Sequence, residues 1–192
     1  MPVGELMLRA LILVFWGLLL AACAQTPPLL LPEALGQNVQ VNQLVSVPAP
    51  QGQRQFNVVW SRESNVFSLA GLSLAGQLLF NISQQDGEIR IRHALPDIPA
   101  NQLHQLIRQI QWAYWPLADI NAAMPAGWSL TEDKDRALRQ VYRNGTPYMV
   151  FQFDSLAPFS SVKITQAQGP ELQVTTISVQ ALDVQAPGRN LP

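Results

Sequence analysis

The chain has 192 residues, of which 48% are hydrophobic and 13% charged, with a formal net charge of -1. That is long enough for one domain with its own core, and too apolar for a disordered chain. Near-neutral charge removes the electrostatic reason to expect a nucleic-acid partner.

Residues 1–22 read as a targeting segment. Arg9 supplies a weak positive start, and Ala10 to Ala22 is a short apolar run. It falls below the ~20 residues that span a bilayer as a helix. It ends in Leu20-Ala21-Ala22-Cys23, which resembles a bacterial lipobox with Cys23 as the lipid acceptor. The alternative is an ordinary secretory signal with a chance cysteine. Against that, Cys23 is the only cysteine in the chain, and exported proteins usually use cysteines in pairs. Several acyl chains anchor firmly, each buried CH₂ contributing about 0.8 kcal/mol. By resemblance to enterobacterial lipoproteins, Ala24 in place of an acidic residue favours the outer membrane, with the chain on its periplasmic face.

Residues 23–36 then form a lipidated tether. Thr26-Pro27-Pro28-Leu29-Leu30-Leu31-Pro32 is expected to be extended, because each proline fixes φ and excludes helix. Its leucines either pack on the domain or lie at the membrane surface.

The folded domain is expected over 37–185, with a loose tail over 186–192. Val39 to Val47 suggests one strand with a bulge, and Pro48 to Gly52 a turn. Phe56, Val58 and Trp60 alternate as in a half-buried strand. Val66 to His93 reads as three strands and two turns. Asp86-Gly87 suits a two-residue hairpin, since both residues tolerate positive φ. Tight closure pairs Gln84 with Ile89, Ile82 with Ile91 and Phe80 with His93, and puts Leu78, Phe80, Ile82, Ile89 and Ile91 on one oily face. The turn from Ala70 to Gly76 keeps Leu72 and Leu74 where a tip is normally polar.

Pro96 to Trp115 breaks the strand pattern. Leu103, Leu106, Ile107, Ile110 and Tyr114 recur at helical spacing, and Pro116 stops the helix. Trp112 and Trp115 fall off the stripe's centre. Leu117 to Pro125 allows one more helical turn, and Gly127 to Asp135 reads as a turn region. Arg136 to Arg143 and Thr146 to Asp154, joined by Asn144-Gly145, predict a second hairpin with Leu138, Tyr142, Met149, Phe151 and Phe153 on one face. Two further strands follow, Ser161 to Gln168 and Glu171 to Asp183. The class is mainly β with one or two helices.

Lipobox, proline-rich tether, antiparallel strands, a central helix and more strands, in that order, resemble the outer-membrane receptor of the lipoprotein-localisation pathway and its soluble carrier (LolB and LolA). Val66 to Phe80 and Leu106 to Leu117 carry a closer resemblance to an uncharacterised outer-membrane lipoprotein family (DUF3261-like), often associated with aryl-polyene gene clusters. The resemblance implies an incomplete antiparallel β-barrel with a helical lid and an apolar cavity for acyl chains. In the receptor an exposed leucine of a Leu-Ser-Pro-Leu-Gly-Gln run enters the membrane. Aligned on Gly76, this chain departs from the pattern, with Ala75 at that leucine and Leu74 at the proline, and Leu72 and Leu74 are the candidates for a membrane tip.

The expected lining is Trp60, Phe67, Phe80, Ile82, Ile91, Leu106, Ile110, Phe151 and Phe153. The plain alternative is a solid core, with the leucine turn folded back as a cap. His93 fits a structural role and His104 a solvated helix face. No metal-ligand set, phosphate loop or nucleophile elbow occurs, so no cofactor and no enzyme activity is expected. Two functions follow. One is a monomeric lipid-binding lipoprotein that passes an apolar lipid or lipoprotein cargo to the membrane, with a LolA-like carrier as a partner. The other is a non-binding accessory lipoprotein that scaffolds an envelope or polyene-lipid assembly.

Overall fold

Alternating apolar residues through both halves of the chain build strands that bury one face. The computed structural model describes residues 26–183 apart from residue 168. Cys23, the targeting segment and the tail over 186–192 lie outside the described residues. Five strands come first: β1 Val39–Ala49, β2 Gly52–Glu63, β3 Val66–Ser73, β4 Leu78–Gln85 and β5 Glu88–Ala94. Two helices follow, α1 Ala100–Tyr114 and α2 Leu117–Ala123. Five more strands complete the chain: β6 Trp128–Asp133, β7 Leu138–Arg143, β8 Thr146–Phe153, β9 Val162–Gln166 and β10 Leu172–Ala181.

All ten strands join one open antiparallel sheet, in the order β5-β4-β3-β2-β1-β10-β9-β8-β7-β6. Each half is a meander, and β1 pairs with β10 to seam them. The two helices therefore connect one edge strand, β5, to the other, β6. Helix α1 fills the concave face, with Leu103, Ile107, Ile110, Trp112, Ala113 and the following Trp115 all buried in the common core. Gln109 and Gln111 are buried as well. The expected single apolar stripe is thus too narrow a description. A helix enclosed by a curved sheet has little free face.

The sheet's edges are covered by different means. The Asn121 side chain, on α2, donates to the Leu130 carbonyl at 2.8 Å and accepts from the Leu130 N–H at 2.9 Å, in effect a partner for β6. Strand β5 carries Glu88, Arg90 and Arg92, all exposed, and charge on an edge discourages pairing with another chain.

Both Asx-Gly hairpins form, with Asp86, Gly87, Asn144 and Gly145 all at positive φ. Ile82 faces Ile91 as expected, but Arg92 is an extra residue, so Asn81 faces His93 and Phe80 faces Ala94. Ile91 and His93 are exposed, because β5 is an edge strand. In the second hairpin Tyr148 is the extra residue, and Val141 faces Met149. The bulge reverses the phase of β7: Val141 points into the core, while Leu138 and Tyr142 are only half-buried. The bulge expected in the first strand lies in its partner, at Ile177, between Ser178 and Thr176 opposite Asn42 and Gln43. Trp128–Asp133, expected as turn, is strand β6.

Arg139 replaces an apolar residue on the inner face. Its guanidinium donates to the carbonyls of Trp112, Ala113 and Trp115 at 3.2, 2.9 and 2.8 Å and pairs with Glu132 at 2.7 Å. It satisfies the orphan carbonyls at the end of α1, which favours a cation there.

Candidate functional site

The concave face differs at its two ends. Around the C-terminal end of α1 the rings of Trp60, Phe67, Tyr114, Trp115 and Phe159 form a contiguous cluster. Trp60 lies 5.9, 5.7, 6.3 and 5.4 Å from the other four in that order, centroid to centroid. A buried polar chain ties the cluster to the seam. Gln43 accepts from the Trp60 indole at 3.0 Å and donates to the Tyr114 hydroxyl at 2.8 Å and to Thr176 at 3.2 Å. Tyr114 donates to the Ser160 carbonyl at 3.1 Å. Burial pushes the Tyr114 phenol up to about 12, partly offset by hydrogen bonds with Gln43 and Thr176.

Around the N-terminal end of α1 the sheet gapes. A groove of about 560 Å³ runs between Val45, Val47, Phe56, Leu79 and Phe80 on the sheet, Ile98 beyond it, and Leu103 and Leu106 on α1. Small-molecule sites span about 300–1,000 Å³ and are mostly apolar, and this groove fits that description. It continues under α1 as a crevice of about 30 Å³ between Leu106, Ile110 and Ala113 and the sheet residues Val45, Val58, Ile164 and Val174. Val45, Leu106, Gln109 and Leu172 line both spaces.

Phe80 can stand in the groove wall because its strand partner is Gly71. A Cβ at Gly71 would collide with the Phe80 ring.

A family model described as "Protein of unknown function (DUF3261)" matches residues 40–178 of this chain. The chain belongs to the DUF3261 family. No curated protein matches it. Among solved structures, it is similar to a LolA superfamily protein from Nitrosomonas europaea at 10% identity, with a TM-score of 0.40. That match covers 77% of this chain and 87% of the other.

Within this DUF3261 domain the residues expected to line a cavity separate into groups. Phe80 and Leu106 line the groove, and Ile110 lines the crevice. Trp60 and Phe67 belong to the aromatic cluster, and Ile82 and Phe151 are fully buried in the packed core. Ile91 is 40% exposed on the edge strand. Phe153 is half-buried, 6.2 Å from Tyr114, beside a separate surface hollow. Of the two tip leucines, Leu72 lies within β3 opposite Leu78 and is half-buried. Leu74 alone sits in the turn, 63% exposed. That turn lies at the groove end of the sheet, since Ser73 pairs with Phe56.

Sequence reasoning missed Val45, Ile98, Gln109, Leu172 and Val174 as groove or crevice residues. Gln109 lies one position off the helical stripe. Val45 and Val174 face each other across the seam, a pairing of the first and last strands that no local pattern announces.

The tether is also only half legible in the sequence. It is docked along α1. Pro27 accepts from the Arg108 Nε–H at 3.0 Å. Both polar groups of Leu30 are held: its N–H donates to Gln111 at 2.9 Å, and its carbonyl accepts from Gln84 at 2.8 Å and Gln111 at 2.9 Å. Trp115 donates to the Leu31 carbonyl at 3.3 Å. Pro32–Leu35 then forms a one-turn 3₁₀ helix with Pro32 and Leu35 buried. Gln84 and Gln111, which are almost fully buried, are satisfied by this captured peptide and by each other at 3.0 Å.

Proposed function

We propose that this DUF3261 protein is an outer-membrane lipoprotein on the periplasmic face. It takes the alkyl chain of an apolar lipid or lipoprotein cargo into the groove and passes it to the membrane. The carrying observation is the apolar groove that continues under α1. One end of the concave face is filled with rings, while the other is lined mostly with aliphatic side chains and left open, which suits a flexible chain.

The docked tether supports the transfer half of the reading. From Pro27 to Leu31 it runs in the same direction as α1, touching Arg108, then Gln111, then Trp115. Four residues from Cys23 to Pro27 reach at most about 14 Å. From Arg108 back to the first turn of α1 is about 12 Å. A lipid on Cys23 can therefore hold the groove mouth and the exposed Leu74 at the bilayer surface. Burying one such leucine contributes about 1.5–3 kcal/mol. A soluble LolA-like carrier remains a fitting donor of cargo.

The test uses the chain from residue 23 onward with Cys23→Ser, which keeps every described residue. Saturable binding of a fluorescent alkyl dye is expected, and Leu106→Gln is expected to weaken it about tenfold by placing an amide in the apolar groove. If the folded chain shows no saturable binding, the accessory scaffold is the better reading. In cells, radioactive fatty acid should label the unaltered protein and not Cys23→Ser. Label retained on that variant would refute the anchor.

A further inference from the structure

Beside the apolar groove lies a second hollow of about 630 Å³, lined by Asn101, Gln102, Gln105, Arg108 and Gln109 of α1 and by Ile164, Gln166 and Leu172 of the sheet. Gln102, Gln109 and Leu172 belong to both hollows, so the two meet along one wall. The polar hollow has a particular chemistry. Arg108 is partly withdrawn from water, which pulls its pKa below the ordinary value. Among the described residues no carboxylate lies within ion-pair distance of it. Its guanidinium spends two donors, Nε–H on Pro27 and Nη1–H on the Gln105 Oε1 at 2.9 Å, out of the five that a guanidinium carries.

Gln105 adds to the imbalance. Its Nε2 is buried and has no hydrogen-bond partner among the described residues. Turning the amide over does not relieve this, because a guanidinium offers no acceptor, so the oxygen must face Arg108. The hollow thus presents a partly desolvated cation with donors to spare, held in place through the Gln105 Oε1, and that cation calls for an acceptor. A buried donor left without one is costly.

We propose that this hollow is a head-group subsite: the ligand is an amphiphile whose anionic head, a phosphate or carboxylate, is held by Arg108, which Gln105 positions, while its alkyl chain lies in the adjoining apolar groove. This rests on the groove reading above and adds the chemical class and the direction of the ligand. The opposite direction has its own candidate partner, Arg54, at the far end of the apolar groove. That position is less suited, since Arg54 is exposed to water and a carboxylate, Asp97, also lines the groove.

The experiment measures binding of dodecyl phosphate, dodecanoate and dodecanol to the chain from residue 23 onward with Cys23→Ser, at neutral pH and below micelle-forming concentrations. Hydrogen bonds to charged groups justify an expected preference of about tenfold for either anion over the alcohol. Arg108→Gln should reduce that preference to less than about twofold and leave dodecanol affinity unchanged, with a small drop in melting temperature from the lost Pro27 contact. Arg108→Lys should keep part of it, because the charge remains. Gln105→Leu provides an independent variant that spares the Pro27 contact, and should lower the preference about threefold. If dodecanol binds as tightly as the anions, the subsite is refuted while the groove reading stands. The subsite is equally refuted if the preference survives Arg108→Gln or is lost by Arg54→Gln instead. If none of the three ligands binds, the groove reading itself falls and takes the subsite with it.

Discussion

At the Tyr114 end of α1 the concave face is closed by rings; at the Ala100 end it is lined mostly by aliphatic side chains, with Phe56 and Phe80 among them, and left open. The same strands serve both ends. On β2, Trp60 belongs to the closed end and Phe56 to the open one, about 13 Å apart at strand spacing. The closed end is over-determined: Trp60 packs on four rings, and its N–H is held through Gln43 to the seam. At the open end Leu79, Ile98 and Leu106 are only half-buried, while Val45, Phe80 and Leu103 are buried behind them. Rigidity and accessibility are thus divided along one helix. The stiff end fixes α1, through Arg139 on its last carbonyls, while the other end keeps the open groove.

Substitutions should reveal that division, and the largest effect is expected at the closed end. Trp60→Ala leaves a cavity among rings and should cost about 3–5 kcal/mol, read from denaturant unfolding. Next comes the response to alkali. Tyr114 is protonated in the folded chain up to about 12, against about 10 when unfolded. The folded state therefore holds the proton more tightly. Stability from this group is full below pH 10 and is lost as pH rises toward 12, by about 2–3 kcal/mol. Tyr114→Phe should flatten that stretch of the stability–pH curve. A curve unchanged by the variant would show that the phenol is not buried. The smallest stability effect is expected at the open end. Leu106→Gln should lower stability by only about 1 kcal/mol while carrying the large loss of dye binding. An equal loss at both ends would erase the contrast and argue for one uniform core.

Alternation and Asx-Gly turns make the strands and both hairpins legible, because period-two burial and positive φ are local demands. What escapes is set by distant partners. The bulges at Arg92 and Tyr148 shift the phase beyond them, so Leu138 and Tyr142 leave the inner face that tight pairing predicts for them. Gln84 continues the inward phase of Phe80 and Ile82 on β4, and its glutamine is explained by two distant partners, the Leu30 carbonyl and Gln111. The expected lining sits too far toward β3, β4 and β8 for a similar reason. Large aromatics attract attention as lining, yet Trp60, Phe67 and Phe151 fill space. The side chains that leave space are Val45, Leu106 and Leu172.

The seam between β1 and β10 bears on how this molecule comes to be folded. Its contacts join the first strand of the sheet to the last, a loop closure that spans the domain and slows the search for the native topology. Chains are made from the N-terminus, so β1 waits with one edge bare until β10 emerges. Until then its unpaired N–H and C=O groups are open to any passing strand. Leu172 and Val174, which wall the groove and the crevice, arrive on that same late strand. A chain that stops short of Leu172 would therefore lose part of the groove's wall and expose a sticky edge in a single step.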